Sequence, residues 1–269
     1  MSAMLQFLLK YPGRVVAGLA LLAVLLFGLS YLTGYRFGNG LSIVKSGVIT
    51  VRATEAGTKV YLDTSKRKIT TEENETVRFS YLKPGGHLVI AAKDGYYPWT
   101  KAVQVGEGGM AELRPFLVPM NPSGFLITEA DPEYEKIQSI IDGNVLPTKG
   151  RPKTSADGLV SVWFEGSGIR ALWLGEEAGI PLSFCTAEGC NRTIEGVTLS
   201  ETPRNIDFYP GRNDVLLVAS SDDLFAVDLD RNGLQNFQPI YKGAAPRFGV
   251  SEAGALFVHD GTTLMEVQL

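Results

Sequence analysis

The sequence has few of the residues from which metal and catalytic sites are commonly built. Its 269 residues include two cysteines and two histidines, whereas a structural zinc ion is usually held by four cysteine or histidine side chains. The Gly-x-Ser-x-Gly motif, the glycine-rich phosphate loop and the His-Glu-x-x-His motif are missing as well. We therefore predict no catalytic residues, no cofactor and no enzymatic activity.

Positive charge is not in excess either. The chain has 25 lysines and arginines against 29 aspartates and glutamates, which gives a net charge of -4. Because nucleic-acid binding needs a broad basic surface, we predict no nucleic-acid partner. The apolar fraction of 45% and the charged fraction of 20% are ordinary for a folded protein. The 30 glycines and 14 prolines suit a chain of many short strands and turns.

What the sequence does contain is one long apolar run near its N-terminus. Residues 15–32 have no charged side chain, and such a run is long enough for a helix to cross about 30 Å of hydrocarbon. Tyr11, Tyr31 and Tyr35 flank the run, as aromatic residues do at membrane interfaces. We predict a transmembrane helix that contacts the lipid bilayer through residues 15–32. The alternative is a cleaved signal peptide, whose apolar region is usually shorter.

The charges on the two sides of this run predict its orientation. Lys10, Arg14 and the terminal amine precede the run, whereas Arg36 and Lys45 follow it. The excess of one positive charge favours a cytoplasmic N-terminus. We therefore expect a single-pass protein of the cell membrane. Residues 1–36 would form a short tail and the helix, and the body that follows would be extracytoplasmic.

Residues 45–113 read as a small β domain. Apolar and polar residues alternate in short runs, and turn sequences such as Pro84-Gly85 and Asp94-Gly95 separate these runs. About six short strands in such a length predict a small β-sandwich.

Four ordered segments of this part carry a family resemblance: residues 47–51, 54–63, 81–90 and 93–99. Together they resemble the PEGA domain. The Pro-Glu-Gly-Ala motif that names this family corresponds here to Thr54-Glu55-Ala56-Gly57, which lacks the proline and shifts the glycine. PEGA domains are small β modules of extracytoplasmic and surface proteins, without activity of their own. The resemblance therefore implies a spacer or a binding module.

Residues 114–123 contain three prolines, which predict a stiff, extended linker and a domain boundary. Three similar segments follow in residues 124–269. They begin at residues 155, 209 and 251, which are 54 and 42 residues apart. Each consists of a turn, an apolar strand, a polar turn and a second strand. A period of this length is typical of β-propeller blades.

The first of these turns, Ser155-Ala156-Asp157-Gly158, resembles the Ser-Pro-Asp-Gly turn of TolB-like propeller repeats. The other two turns are degenerate. Because propellers usually close with about 4–8 blades, three units predict a partial or small propeller-like domain. Residues 124–150 could supply a divergent unit, or another chain could complete the array. A short helix over residues 133–141 is the alternative for that stretch.

Residues 228–233 match the first half of a calcium-binding loop, with Asp228, Asp230 and Asn232 as candidate ligands. The twelfth position of the loop, where a bidentate acid is expected, is Pro239. A polar turn between strands is therefore the alternative, and we predict no firm metal site.

The two cysteines, Cys185 and Cys190, are close in sequence. They could form a disulfide in an oxidising compartment or remain two free buried thiols.

These observations together predict a mostly β protein with one N-terminal transmembrane helix, a small PEGA-like β-sandwich and a propeller-like domain. Its expected function is that of a binding or scaffolding module at the cell envelope, with a protein or an envelope polysaccharide as partner. The alternatives are a hydrolase that acts on envelope glycans through loop carboxylates and the ectodomain of a sensory complex.

Overall fold

The computed structural model describes residues 12–37, 42–186, 189–230 and 233–269. These residues form a mostly β structure with two α-helices and 23 β-strands. The predicted fold class is confirmed at this level. The helices are α1 (Pro12–Leu32) and α2 (Tyr134–Gly143).

The strands of the first part of the chain are β1 (Tyr35–Phe37), β2 (Ile43–Lys45), β3 (Gly47–Arg52), β4 (Lys59–Leu62), β5 (Lys66–Ile69), β6 (Thr76–Leu82), β7 (Gly85–Ala92), β8 (Trp99–Val105) and β9 (Met110–Leu113). Those of the second part are β10 (Gly124–Ile127), β11 (Lys153–Thr154), β12 (Val160–Glu165), β13 (Gly168–Trp173), β14 (Cys185–Thr186), β15 (Gly189–Cys190), β16 (Thr193–Thr198), β17 (Asn205–Phe208), β18 (Val215–Ala219), β19 (Asp223–Asp228), β20 (Phe237–Lys242), β21 (Arg247–Val250), β22 (Leu256–Asp260) and β23 (Thr263–Val267).

Helix α1 contains the apolar run. It ends where Gly34 adopts a φ of +92°, a left-handed conformation that glycine reaches without strain and that commonly ends helices. In the part of the chain that the structure describes, no helix combines the length and the apolarity needed to cross a membrane. The predicted helix is therefore present, and its crossing of a membrane stays a prediction. Lys10 and Tyr11 lie outside the described residues. The predicted orientation rests partly on Lys10, and the predicted flanking of the run by aromatic residues rests partly on Tyr11.

The chain divides into two compact units. Unit 1 comprises residues 1–51, 78–87 and 104–113, and unit 2 comprises residues 52–77, 88–103 and 114–269. The strands of residues 45–113 are thus shared between the two units. The predicted domain boundaries therefore stay predictions.

A three-stranded sheet with the order β6-β3-β9 lies mainly in unit 1. Strand β3 runs parallel to β9, and Val48 lies opposite Met110. Alternation along β3 buries Ile49 and Val51 completely, as a half-buried strand requires. Gly47 is needed at its start, because a Cβ atom there would clash with Val105 and lie 3.1 Å from the Gly109 carbonyl oxygen.

The next sheet has the order β5-β4-β7-β8. Strands β4 and β5 form a hairpin in unit 2, whose turn residues Asp63 and Thr64 have φ values of 50° and 57°. Leu62 pairs with Lys66, so the loop has three residues, and the Ser65 N–H donates to the Leu62 carbonyl at 3.2 Å. Val60 and Leu62 of β4 are fully buried.

Each predicted repeat supplies the two central strands of a four-stranded antiparallel sheet. The strand orders are β11-β12-β13-β16, β17-β18-β19-β20 and β10-β23-β22-β21. In the first two sheets an outer strand, β16 or β20, follows the repeat along the chain. In the third sheet β10 takes that place, so that Gly124 pairs with Val267 and Ile127 with Leu264.

Residues 124–127 therefore complete the last sheet rather than adding a separate repeat. The short helix considered for residues 133–141 is confirmed as α2. Closure of the three sheets into a propeller stays a prediction.

Among the described residues of unit 2, two apolar cores involve the repeat sheets. The larger one joins strands of the first two repeats and includes Val162, Ile169, Phe184, Leu216 and Val227, all at most 1% exposed. In the smaller one, α2 packs Ile137 and Ile141 against Phe257 and Leu264. Burying a side chain such as Ile141 contributes about 1.5–3 kcal/mol.

The predicted linker is extended but is not free. Phe116, Leu117 and Val118 are buried. The backbone N–H of Tyr97 donates to the Val118 carbonyl at 2.9 Å, and that of Met120 donates to the Gly95 carbonyl at 2.8 Å. Its backbone groups are thus paired and these side chains are covered within unit 2.

Candidate functional site

Two of the three candidate calcium ligands lie beside a lysine. The Lys101 ammonium lies 3.2 Å from a carboxylate oxygen of Asp228 and 3.2 Å from one of Asp230. It also donates to the Asp230 carbonyl oxygen at 2.7 Å. A protein cation thus occupies the place where these carboxylates would hold a metal ion. Asn232 lies outside the described residues.

This ion cluster is buried. The side chains of Lys101 and Asp228 are 3% and 8% exposed. Burial raises the pKa of the Asp228 carboxyl, and the charge of Lys101 and hydrogen bonds from Asn236 only partly oppose this effect. The Asn236 N–H and side-chain amide donate to Asp228 at 3.1 and 2.9 Å. The cluster is therefore structural: one buried lysine is shared by two carboxylates, and Asn236 supplies further hydrogen bonds to Asp228.

Two side-chain amides add hydrogen bonds beside this ion cluster. Asn236 accepts from the Thr100 N–H at 2.8 Å and donates to the Thr100 carbonyl at 3.0 Å. Gln238 does the same for the next segment, accepting from the Val118 N–H at 2.7 Å and donating to the Phe116 carbonyl at 3.1 Å. Both amides replace the backbone partner that a neighbouring strand would provide. They fix β8 and residues 116–118 to the second repeat sheet, within unit 2.

The two cysteines form a disulfide between Cys185 and Cys190. They lie opposite each other in the small ladder of β14 and β15. Among the described residues, no group of three or more His, Cys, Asp or Glu side chains is placed to hold a metal ion.

Unit 2 contains a polar cleft of about 300 Å³, which we call the arginine cleft. Its lining is formed by Arg52, Thr54, Glu55, Arg114, Pro115, Phe116, Leu117, Tyr209, Pro210, Gly211 and Arg212. The first three come from the end of β3 and the following turn, the next four from the packed segment after β9, and the last four from the turn of the second repeat.

Arg212 builds the wall of the arginine cleft. Its guanidinium forms a two-pronged pair with Asp214 at 2.7 and 2.8 Å, the geometry of a strong ion pair. It also donates to the carbonyl oxygens of Arg114 and Pro115 at 2.6 and 3.4 Å. The side chain is only 12% exposed. Four hydrogen bonds to the protein thus engage this guanidinium, and two of them fix the backbone that carries Arg114.

The other acidic groups around the arginine cleft also have cationic partners. Glu55 pairs with Lys93 at 2.8 Å, and Glu75 pairs with Arg52 at 3.5 Å. The pairing with Glu55 raises the pKa of the Lys93 ammonium, so Lys93 stays charged. Arg114 is exposed and has no carboxylate partner among the described residues. One positive charge therefore remains uncompensated at the rim.

Tyr209 supplies an unused polar group. Its ring packs near that of Phe116, with centroids 6.3 Å apart. Burial raises the pKa of its hydroxyl to about 12, so this group is a neutral donor at physiological pH. In the described part of the chain, the hydroxyl has no hydrogen-bond partner.

The arginine cleft contains none of the residues singled out in the sequence for metal binding. A signal was nevertheless present in the repeats. Equivalent turns begin at Ser155, Tyr209 and Ser251, and each closes with a backbone hydrogen bond to the residue three positions later. The second turn, one of the two degenerate turns, carries Tyr209 and Arg212. The departure from the repeat therefore coincides with the cleft.

No protein-family model matches the sequence, and no curated protein matches it significantly. Among solved structures, one match is a Bacteroides fragilis protein of unknown function that is provisionally described as membrane-associated. The two chains are 11% identical, the match covers 82% of this chain and 97% of the other, and the TM-score is 0.24. A TM-score of this size does not establish a common fold.

Proposed function

We propose that the protein is a membrane-anchored, extracytoplasmic binding or scaffolding module of the cell envelope. The observation that carries the proposal is the apolar surface of α1. Its large side chains between Val16 and Leu32, eleven in all, are 52–76% exposed. Four of them are consecutive, from Val24 to Phe27, and consecutive residues point to different sides of a helix. A helix that is apolar on all sides needs an apolar environment.

The end of α1 supports the same proposal. The Arg36 guanidinium lies 3.5 Å from the centroid of the Tyr31 ring, and it donates to the carbonyl oxygens of Tyr31 and Tyr35 at 2.8 and 2.9 Å. A cation at the carboxyl end of a helix complements the helix dipole. Tyrosine and arginine together are typical of the level of lipid headgroups.

The disulfide supports an extracytoplasmic body, because disulfides persist mainly in oxidising compartments. The arginine cleft supports a binding role, since it offers an unpaired cation and an unused hydroxyl. We accordingly propose that the extracytoplasmic body binds its partner without catalysis. We propose that residues 15–32 form the single membrane crossing.

Membrane recovery of the full chain tests the anchor. We expect the full chain to remain with membranes after an alkaline wash and to be released by detergent. The triple variant Leu22→Lys, Val24→Lys, Leu26→Lys should move to the soluble fraction, because each charge costs about 3 kcal/mol near the centre of a membrane helix.

The matched control is Leu234→Lys, which adds a charge at a leucine 63% exposed outside α1 and should not change membrane recovery. Recovery of the unmodified chain in the soluble fraction would refute the anchor. Digestion of the body by a protease added outside intact cells tests the orientation. A body protected there and cleaved only after lysis would place it on the cytoplasmic side.

A further inference from the structure

We propose that the arginine cleft binds a carboxylate group carried by a small, partly apolar ligand. The inference rests on the proposed binding function, of which it names the ligand class. It starts from the charges around the cleft. Asp214, Glu55 and Glu75 each have a cationic partner, whereas Arg114 has none among the described residues. An anion is the ligand that compensates this charge.

The number of charges favours a monoanion. Only one cation is in excess, and the Glu55 carboxylate lines the same cleft. A ligand with two negative charges, such as a phosphate monoester, would place its second charge against Glu55 without compensation. A planar guanidinium such as that of Arg114 matches the two oxygens of a carboxylate in shape and spacing.

The donors of the cleft favour an acceptor group. Besides Arg114, the hydroxyls of Thr54 and Tyr209 line the cleft and have no hydrogen-bond partner in the described part of the chain. The raised pKa of Tyr209 keeps its proton in place at physiological pH. Carboxylate oxygens only accept hydrogen bonds, so they suit a cleft lined by these three donors.

The apolar residues and the volume of the cleft limit the rest of the ligand. The buried side chains of Phe116 and Leu117 contribute to the lining, as do Pro115 and Pro210. A volume of about 300 Å³ is at the small end of the range for ligand pockets. A cleft of this size suits a ligand of one or two amino-acid residues, or of one sugar ring. The carboxylate could therefore be a peptide carboxyl terminus or belong to an acidic sugar.

Calorimetric titration of the full chain in detergent micelles tests the proposal. The probes are acetyl-alanyl-alanine and its C-terminal amide, glucuronate and glucose, and inorganic phosphate. We expect at least one carboxylate probe to bind with a Kd on the order of 1 mM or below and its neutral counterpart to bind at least about tenfold more weakly. The probe that binds identifies the source of the carboxylate.

Variants locate the binding. Arg114→Gln should weaken binding of the carboxylate probe about tenfold, since a charge-assisted hydrogen bond is lost, and Tyr209→Phe should weaken it a few-fold. Arg114→Lys retains the charge without the planar fork, and we expect an intermediate affinity. Arg67→Gln is the matched control, because Arg67 is an exposed arginine of β5 outside the cleft, and it should leave the affinity unchanged.

Three outcomes would overturn the proposal: no binding of either carboxylate at about 10 mM, tighter binding of phosphate than of both carboxylates, or an affinity that Arg114→Gln leaves unchanged. Unchanged far-ultraviolet circular dichroism shows that each variant is folded. Membrane recovery of Arg114→Gln should equal that of the unmodified chain. Calorimetry thus tests the cleft alone and membrane recovery tests the anchor alone, so failure of one proposal can be told from failure of the other.

Discussion

The substitution Lys101→Met removes the cation from the buried cluster with Asp228 and Asp230. Methionine retains most of the length and volume of the lysine stem, so the change isolates the charge. Two carboxylates then lose their common partner, and the side chain of one of them, Asp228, is only 8% exposed. We expect this variant to be strongly destabilised at neutral pH.

The distances set the size of the effect. Each contact of 3.2 Å between the Lys101 ammonium and a carboxylate oxygen corresponds to roughly 5 kcal/mol at an effective dielectric constant of 20, before desolvation is counted. Desolvation of the lysine offsets much of this attraction. Removing one partner of a buried pair nevertheless costs about 3–5 kcal/mol, because the remaining charge is left uncompensated. We expect a loss in that range for the free energy of unfolding.

The loss should depend on pH in a defined direction. Burial already raises the pKa of Asp228, and Lys101 opposes the rise, so the variant should raise the pKa further. A carboxyl group with a raised folded pKa binds more protons in the folded state than in the unfolded state. The variant should therefore regain stability relative to the unmodified chain as the pH falls from 7 toward 4.

Urea unfolding in detergent, followed by tryptophan fluorescence, measures the effect, because Trp99 lies on the same strand and is 4% exposed. Lys242→Met is the matched control. Its ion pair with Asp222 is 4.0 Å long and exposed, so its loss should stay within about 0.5 kcal/mol. Adding Asp228→Asn to Lys101→Met should restore part of the stability. A loss as small as that of the control would refute the reasoning that the cluster is desolvated.

Two further predictions concern a hydrogen-bond network and the disulfide of unit 2. Asp157→Ala should reduce the free energy of unfolding by about 1–3 kcal/mol, since this carboxylate accepts hydrogen bonds from Ser155, Leu159 and Asn213 at 2.6, 3.0 and 2.6 Å. Burial opposes ionisation of Asp157, but these bonds outweigh it and lower the pKa. The loss should thus be complete above pH 4 and vanish as the pH falls through the lowered pKa, and a loss independent of pH would contradict this origin. Replacing both cysteines by serine should cost about 2 kcal/mol, as closing so short a loop predicts, and thiol titration of the denatured, unreduced chain should detect no free thiol.

The strands of the repeats could be predicted from the sequence because their signal is local. Alternation and apolar runs placed the second repeat's strands at residues 215–219 and 223–229, and the structure has them at Val215–Ala219 and Asp223–Asp228. The partner of the last strand could not be predicted. Gly124 pairs with Val267, and no local pattern encodes a contact between residues so far apart in the chain.

Only the acids of the buried cluster could be recognised from the sequence. Asp228 and Asp230 are candidate oxygen ligands by their spacing, but their partner Lys101 lies 127 positions away from Asp228. One signal was available. Lys101 lies two residues from Trp99 and from Val103 on one strand, and side chains two apart share a face. A lysine on the same face as a buried tryptophan needs an acid, but no local pattern identifies Asp228 as that acid.

The arginine cleft shows why a degenerate repeat is informative. In the first and third turns the serine hydroxyl accepts from a backbone N–H at the start of the next strand or just before it, that of Val160 at 3.0 Å or that of Ala255 at 3.1 Å. These serines stabilise their own turns. Tyr209 stands in the equivalent place but directs its ring to Phe116 instead, while the nearby Arg212 binds the carbonyls of residues 114 and 115.

The second turn has thus exchanged a local hydrogen bond for contacts with a neighbouring segment. The turn still has a local ion pair, between Arg212 and Asp214. The contacts with the neighbouring segment bring a half-buried hydroxyl and the backbone of an unpaired arginine to one concave surface. Where repeats share a fold, the copy that abandons the stabilising residue is therefore the first place to look for binding.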